Sequence, residues 1–233
     1  MNLLQTCRWH EFDSQAGLEN TALRLILDSA QQAISSRGEF RIVLAGGNTP
    51  RNIYRALGHA ETNWPAWHVY FGDERCLPAS NPERNSCMAR MEWLDHVAIP
   101  PRQIHIIPAE LGAESAAVLY ALELADVDTF DLVLLGLGED GHTASLFPGS
   151  AWEHAPLLPA VMAVRDAPKL PSQRVTLSPE RLSRAAQVMF LVSGAEKRQA
   201  VSNWREGVAI PASWIRPPVG VDVLLYLGNR AAA

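Results

Sequence analysis

The residues best suited to chemistry lie in the stretch FDLVLLGLGEDGHTASLFPG, from Phe130 to Gly149. An apolar run, typical of a buried strand, leads into a glycine-rich turn that carries Glu139, Asp140 and His142. An imidazole with a pKa near its ordinary value of about 6.5 can accept a proton around neutral pH. A single histidine is more often structural, but the position of His142 beside Asp140, on a predicted strand-to-helix turn, favours a general base.

A second polar cluster, made of Asp73, Glu74 and Arg75, follows the apolar run WHVYF and Gly72. We expect its two carboxylates and its guanidinium to lie together at the end of this predicted strand. An isolated triplet of this kind is more often a solvated ion cluster. The cluster is therefore suggestive of a site but does not define one.

A glycine turn follows the first inner apolar run, with Gly46, Gly47, Asn48, Thr49 and Pro50 in succession. Glycine permits close backbone approach, and proline is well suited to the start of a helix. A strand, a glycine turn and a helix N-terminus together form a good anion-binding site, although such a turn is as often a plain connection. The segment matches neither a Walker loop nor a GxGxxG fingerprint.

Two cationic residues occur at later strand ends. Arg174 begins the run RVTL, and Lys197 follows the turn formed by Ser193 and Gly194, near another predicted helix N-terminus. Arg can bind a phosphate through two parallel hydrogen bonds, and Lys can bind it as a point charge. Either residue alone would more often be surface charge, so their recurrence at successive strand ends is what favours an anion site.

The elements that position these residues follow from the spacing of the apolar residues. Apolar residues recur at helical spacing after Ser14, a suitable N-cap, and the pattern stops at Gly38. The next predicted elements are a strand FRIVLAGG, a helix from about Thr49, a strand WHVYFGD, a helix over 84–94, a strand IHIIP, a helix from Glu114 and a strand FDLVLLGLG. This alternation predicts βαβ units.

Strands with little polar alternation, such as 42–44 and 132–135, indicate a mainly parallel, Rossmann-like sheet covered by helices on both faces. The later runs LPAVMAV, RVTL, QVMFLVSG and VDVLLYLG are expected to extend this sheet. Loops are predicted in the proline-rich stretch 156–171 and around Pro217, with an antiparallel edge nearby. Ligands of such sheets bind beyond the carboxyl ends of the strands.

The composition is that of a globular protein. With 233 residues, 48% hydrophobic and 19% charged, the chain suits one domain over residues 1–233. A net charge of −5 provides no basic field for nucleic acid or for an anionic membrane, and no run approaches the roughly 20 apolar residues of a membrane span. Three cysteines without CxxC spacing predict neither a zinc knuckle nor a disulfide framework, and a cytoplasmic protein is expected.

Other catalytic arrangements fit the sequence less well. It contains no GxSxG elbow for a serine nucleophile, and Cys76 has no evident base to activate it. The seven histidines lack HExxH or comparable ligand spacing, so we expect no required metal and no cofactor.

Taken together, GGNTP, GDERCLP, FDLVLLGLGEDGHTASLFPG, RVTL and SGAEKRQAV resemble the 6-phosphogluconolactonase family, in that family's order and across nearly the whole chain. The resemblance implies a three-layer α/β/α domain, shared with related sugar-phosphate isomerases and deaminases. It also implies hydrolysis of 6-phospho-D-glucono-1,5-lactone to 6-phosphogluconate in the oxidative pentose phosphate pathway. The expected partner is a phosphorylated sugar lactone, and a homo-oligomer is a possible assembly.

The resemblance also assigns roles to individual residues. His142 would deprotonate water, Asp140 would orient or polarise His142, and Arg75 would lie near the lactone carbonyl. The glycine loop would lie on the phosphate side, two basic residues would clamp the 6-phosphate, and an aspartate would shape the sugar site. The substrate-binding residues implied in this way are Gly47, Asn48, Thr49, Asp73, Arg174 and Lys197.

Two departures from the family pattern affect binding residues only. The loop GGNTP has Asn48 where Ser or Arg is commoner, and NPERNS replaces the more familiar DPxSN pattern. Asn85 still matches the final Asn of that pattern. Neither departure touches His142.

Two alternative functions remain open from the sequence. A glucosamine-6-phosphate deaminase, an aldose-ketose isomerase, would use Asp73 and the DGH turn, but its pattern has Tyr at Arg75 and an Asn-Glu pair near Leu146 and Phe147. A non-catalytic sugar-phosphate-binding module usually carries a DNA-binding segment, for which the α/β pattern leaves little room. The presence of both His142 and Asp140 favours turnover over binding alone.

Overall fold

A computed structural model describes residues 5–228, and its central feature is a sheet of six parallel strands. The nine strands in this part of the chain are β1 (Cys7–Glu11), β2 (Phe40–Leu44), β3 (Trp67–Phe71), β4 (Asp73–Arg75), β5 (Phe130–Gly136), β6 (Val161–Val164), β7 (Arg174–Leu177), β8 (Ala185–Ser193) and β9 (Val221–Tyr226). The parallel sheet has the order β1, β9, β8, β5, β2, β3. Its inner strands are apolar and buried because helices flank the sheet. The predicted α/β class with a mainly parallel sheet is confirmed.

The helices begin and end close to the predicted positions. They are α1 (Gln15–Arg37), α2 (Asn48–Leu57), α3 (Asn85–Glu92), α4 (Ala113–Glu123), α5 (Pro179–Ser183) and α6 (Arg198–Arg205). Ser14 caps α1 as expected, since its hydroxyl accepts the Gly17 N–H. The helix ends at Gly38, which adopts a left-handed conformation and donates its N–H to Ile34 O.

A second, smaller sheet corrects the expectation that every later run extends the main one. Strands β4, β7 and β6 form an antiparallel sheet in that order, so LPAVMAV and RVTL lie outside the parallel sheet. The segment GDER does not end β3, because β3 ends at Phe71 and Asp73–Arg75 pairs with Arg174–Leu177 instead. This second sheet brings Asp73, Arg75 and Arg174 to one place.

Three local predictions differ from the structure. The run IHIIP is not a strand; Ile104 makes a single bridge to Val69, after Pro101 has begun a short 3-10 turn. Strand β1 was not predicted, because it is a half-exposed edge strand in which Arg and His alternate with Cys and Trp. No helix follows His142 directly; the chain makes a tight turn there, and the next helical residues are the 3-10 turn Ala151–His154.

Within residues 5–228, no helix is both long enough and apolar enough to cross a membrane.

Candidate active site

An open cleft of about 210 Å³ lies at the carboxyl ends of β2, β3 and β5, beside the second sheet. Parallel strands present their carboxyl ends at the same edge, which is why segments far apart in the chain meet there. Six of the nine predicted site residues line this cleft: Gly47, Asp73, Arg75, His142, Arg174 and Lys197. Asn48 and Thr49, at the start of α2, and Asp140, which lies behind His142, do not.

His142 and Asp140 form a hydrogen-bonded pair on the turn after β5. The distance from His142 Nδ1 to Asp140 Oδ1 is 2.5 Å, and the same carboxylate oxygen accepts the His142 backbone N–H at 3.1 Å. The turn depends on glycine, since a Cβ on Gly138 would lie 2.0 Å from His142 Nδ1. Gly141, with a φ of +86°, adopts a left-handed conformation that favours glycine. The two side chains are thus in contact, which the sequence alone did not establish.

Burial keeps His142 neutral, and hydrogen bonds and nearby positive charges keep Asp140 ionised, at neutral pH. Burial lowers the pKa of His142 below its ordinary 6.5, and the hydrogen bond and charge of Asp140 only partly oppose that effect. Burial alone would raise the pKa of Asp140, but its hydrogen bonds to His142 and the nearby positive charges bring it below the ordinary value. Because an ionised carboxylate only accepts hydrogen bonds, Nδ1 carries the imidazole proton. Nε2 is therefore the basic nitrogen.

Asp73 is almost fully buried at the edge of the cleft. One carboxylate oxygen accepts the Ser145 hydroxyl at 2.6 Å, and the other accepts the Asn85 side-chain amide at 3.1 Å. Burial raises the pKa of Asp73 above its ordinary value, with the hydrogen bond from Ser145 opposing that rise. Asp73 is a fixed polar group with both oxygens already oriented, which suits it to shape a binding site.

Glu74 does not join Asp73 in the cleft, because neighbouring residues of a strand point to opposite faces. Its buried carboxylate accepts the backbone N–H groups of Asn85 and Ser86, each at 2.8 Å, at the N-terminus of α3. The guanidinium of Arg84 lies beside it, with Nε at 3.4 Å. The expectation that both carboxylates of GDER lie at one site is therefore wrong: Glu74 caps a helix.

The three cations that line the cleft are held to different degrees. Arg174 Nε donates to Pro171 O at 3.0 Å, and Nη2 donates to Lys169 O at 2.8 Å, so the loop backbone fixes its guanidinium. Burial lowers the pKa of Arg174, an effect that the charge of Asp73 opposes. Lys197 follows β8 and is about four-fifths buried, with its ammonium 3.7 Å from Glu196.

Arg75, the third cation, lies on β4 and is two-thirds buried. Its Nη1 is 3.7 Å from the exposed carboxylate of Glu83, a distance too long for a strong hydrogen bond. Arg75 and Lys197 are thus less restrained than Arg174, which has hydrogen bonds to the loop backbone.

The glycine turn contributes backbone to the cleft. A Cβ on Gly46 would lie 2.1 Å from Asn85 Oδ1, so glycine lets the turn pack directly against Asn85. Gly47, with a φ of +106°, precedes α2 and lines the cleft. Asn48 is exposed and Thr49 is half-buried outside the lining, so their predicted contacts to a substrate stay predictions.

Sequence reasoning missed several residues that help to build the site. Thr143 and Ala144 line the cleft, and Ser145 and Asn85 hold Asp73. The stretch GHTAS was identified as a unit, but only the structure shows which of its side chains point inward.

Among residues 5–228, no three His, Cys, Asp or Glu side chains come close enough together to hold a metal ion. The cleft combines a neutral histidine, which is hydrogen-bonded to a carboxylate, with three cationic side chains. This combination is typical of an enzyme that acts on a small anionic substrate.

Comparison with known proteins indicates the same class of protein, an enzyme, and identifies its family. The family model described as glucosamine-6-phosphate isomerases/6-phosphogluconolactonase matches residues 13–224. A 6-phosphogluconolactonase of Synechocystis is 38% identical over 192 residues, 77% of each chain, and one of Nostoc is 34% identical over 236 residues, 94% of this chain and 93% of that one. The crystal structure of a Thermotoga maritima 6-phosphogluconolactonase covers 96% of this chain and 100% of its own, with a TM-score of 0.87 and 25% identity.

The chain therefore belongs to the family of glucosamine-6-phosphate isomerases and 6-phosphogluconolactonases. The family predicted from the motifs is confirmed.

Proposed function

We propose that this protein is a lactone hydrolase that converts 6-phospho-D-glucono-1,5-lactone to 6-phosphogluconate, with His142 as the base that activates water. The observation that carries the proposal is the pair of His142 and Asp140, which meets three cationic side chains in one cleft. The relatives named 6-phosphogluconolactonase, at 38% and 34% identity, support the enzyme class and the substrate.

The reaction begins at Nε2 of His142. This nitrogen takes a proton from a water molecule, and the water oxygen bonds to the carbonyl carbon, C1 of the lactone. The tetrahedral intermediate then collapses with cleavage of the bond between C1 and the ring oxygen. The imidazolium returns its proton to that oxygen, which becomes the C5 hydroxyl. Asp140 holds the ring orientation and stabilises the transient positive charge.

The other groups of the cleft divide between the reacting carbonyl and the phosphate. Arg75, or the backbone N–H groups of Gly46 and Gly47, would stabilise the oxyanion that develops on C1. Arg174 and Lys197 would bind the 6-phosphate. With the phosphate bound, the lactone carbonyl would be held at a fixed position relative to His142. Asp73 would accept hydrogen bonds from sugar hydroxyls, since its environment keeps it oriented toward the cleft.

The deaminase alternative lacks a proton carrier in this cleft. Leu146 and Phe147 are apolar and buried where that reaction would need its Asn-Glu pair, and the Phe147 ring packs against His142 with a centroid distance of 4.7 Å. This apolar neighbour contributes to the burial that keeps His142 neutral, which favours hydrolysis.

The test uses freshly made 6-phosphogluconolactone, with the rate of acid formation corrected for spontaneous opening. We expect strong acceleration that a chelator does not reduce, and far weaker acceleration with gluconolactone, which lacks the phosphate. Ammonia release from glucosamine 6-phosphate is measured in parallel. No acceleration with the phosphorylated lactone, or ammonia release in its place, would overturn the proposal.

A further inference from the structure

Thr143 carries a buried hydroxyl that has no protein partner. The residue follows His142, lines the cleft and is only 1% exposed. Its Oγ1 makes no hydrogen bond within residues 5–228, whereas the neighbouring buried hydroxyls do. Ser145 donates to Asp73, and Thr176 accepts the Ser145 N–H and donates to Leu177 O. Buried hydroxyls are normally paired, so the exception at Thr143 needs an explanation.

The backbone keeps Thr143 at this position. Its carbonyl accepts the Leu146 N–H at 2.9 Å, and the turn passes through Ala144 with a φ of +47°, a conformation that few non-glycine residues adopt. Since the turn is fixed, the hydroxyl can change partner only by rotation about the Cα–Cβ bond. Such a rotation exchanges Oγ1 with another substituent of Cβ, and because Thr143 lines the cleft, it is the movement by which the hydroxyl would reach a ligand there.

We propose that Thr143 is a specificity-determining residue whose hydroxyl pairs with the substrate hydroxyl at C2, beside the lactone carbonyl. The inference rests on the proposed function, because it takes the lactone as the ligand of the cleft. Two observations favour this partner. The first is that Thr143 is adjacent in sequence to His142 and lines the same cleft, which places it near the carbon at which His142 would act.

The second observation is the hydrogen-bonding capacity of the unpaired Thr143 hydroxyl. An unpaired hydroxyl offers one donor and an acceptor, and a sugar hydroxyl offers the same two functions in return. An oxyanion would use only the donor, and the cations and backbone N–H groups of the cleft already supply donors. The C2 hydroxyl is therefore the better match for Thr143 than the reacting oxygen.

The experiment compares Thr143→Val and Thr143→Ser with the wild type on two substrates, 6-phosphogluconolactone and its 2-deoxy analogue. Valine has nearly the shape of threonine, so it removes the hydroxyl and leaves the packing. We expect Thr143→Val to lower kcat/KM for the full lactone by about tenfold, with little change for the 2-deoxy lactone. Thr143→Ser should retain most of the wild-type value on both substrates.

Thermal unfolding separates this role from a structural one. Because the hydroxyl has no protein partner, its loss should leave the melting temperature unchanged or higher. Thr176→Val, which removes a buried hydroxyl that is paired, is the control and should melt at a lower temperature. An equal loss of activity on both substrates, no loss on either, or a melting temperature lowered as far as in Thr176→Val would overturn the inference. In each of these cases, hydrolysis of the lactone by the wild type would still support the proposed function. Failure of the proposed function would instead appear as no hydrolysis by the wild type.

Discussion

Two histidine–carboxylate pairs of almost equal length occupy different regions of the molecule. In the cleft, His142 Nδ1 lies 2.5 Å from Asp140, and at the edge of β3 His105 Nδ1 lies 2.6 Å from Glu123. The first pair sits on a glycine turn after a buried strand. The second joins an irregular segment to α4, with the His105 ring stacked on Tyr70 at a centroid distance of 4.2 Å.

The second ring nitrogen accounts for the difference between the two pairs. His105 Nε2 lies 3.3 Å from His68 Nδ1, so both nitrogens of that ring contact protein. Nε2 of His142 has no protein partner in the described part of the chain, and its ring lines the cleft with the cations. The criterion that we propose for a base is therefore a short contact to a carboxylate together with an opposite nitrogen that faces a ligand site.

The surroundings of the two carboxylates, Glu123 and Asp140, differ as well. Glu123 is half-exposed, so its carboxylate is in contact with water. Asp140 is more buried, and around it the carboxylate of Asp73 and the ammonium of Lys169 act on His142 with opposite signs. Burial dominates and holds the pKa of His142 below 6.5. The same residue types thus form a pair with a half-exposed carboxylate in one region and the pair that contains the proposed base in the other.

The largest expected effect comes from removal of the base in the cleft. Asparagine at position 142 cannot take a proton from water, so His142→Asn should lower kcat for lactone hydrolysis by about 10² to 10⁴-fold. Its KM should change far less, because the cations that line the cleft, which we propose bind the phosphate, remain. Rates are measured on fresh lactone with the melting temperature as a check on folding. A folded variant with a rate within twofold of the wild type would show that His142 is not the base.

Replacement of the carboxylate partner should have a smaller effect with a distinct pH signature. In Asp140→Asn the amide cannot hold the proton on Nδ1 as the carboxylate does, and we expect kcat to fall roughly 10²-fold. On the proposed mechanism, the wild type should lose activity as the pH drops through the pKa of His142, because the base must be neutral. Asp140 raises that pKa against the effect of burial, so its loss should move the acid limb of the profile to lower pH. If the acid limb does not move, Asp140 does not raise the pKa of the group that limits activity at low pH.

The sequence was sufficient for the features that depend on local pattern. The buried strand β5 and the glycine turn that carries His142 and Asp140 could be predicted because they lie within a few residues of one another, whereas the contact between the two side chains required the structure. The parallel sheet followed from the lack of polar alternation in its inner strands.

The features that could not be predicted depend on contacts between segments that are distant in the sequence. Asp73 pairs with Thr176 across the second sheet, more than a hundred residues away, and this pairing turns Glu74 toward α3. Nothing in the triplet DER distinguishes its two carboxylates. In the same way, the carbonyls that hold Arg174 come from a loop whose path the sequence does not specify.

The smallest effect is expected at the second pair, and it tests the comparison directly. His105→Gln keeps a polar side chain of similar length but removes the imidazole from Glu123 and His68. Since that pair lies outside the cleft, kcat/KM should stay within twofold of the wild type, and the partly exposed contact should contribute no more than about 1 kcal/mol to stability. For a chain of this size, that corresponds to a fall of about 2–4 °C in melting temperature. A loss of activity comparable with that of His142→Asn would mean that a histidine–carboxylate pair can serve the reaction without facing the cleft, and the criterion drawn from the two regions would fail.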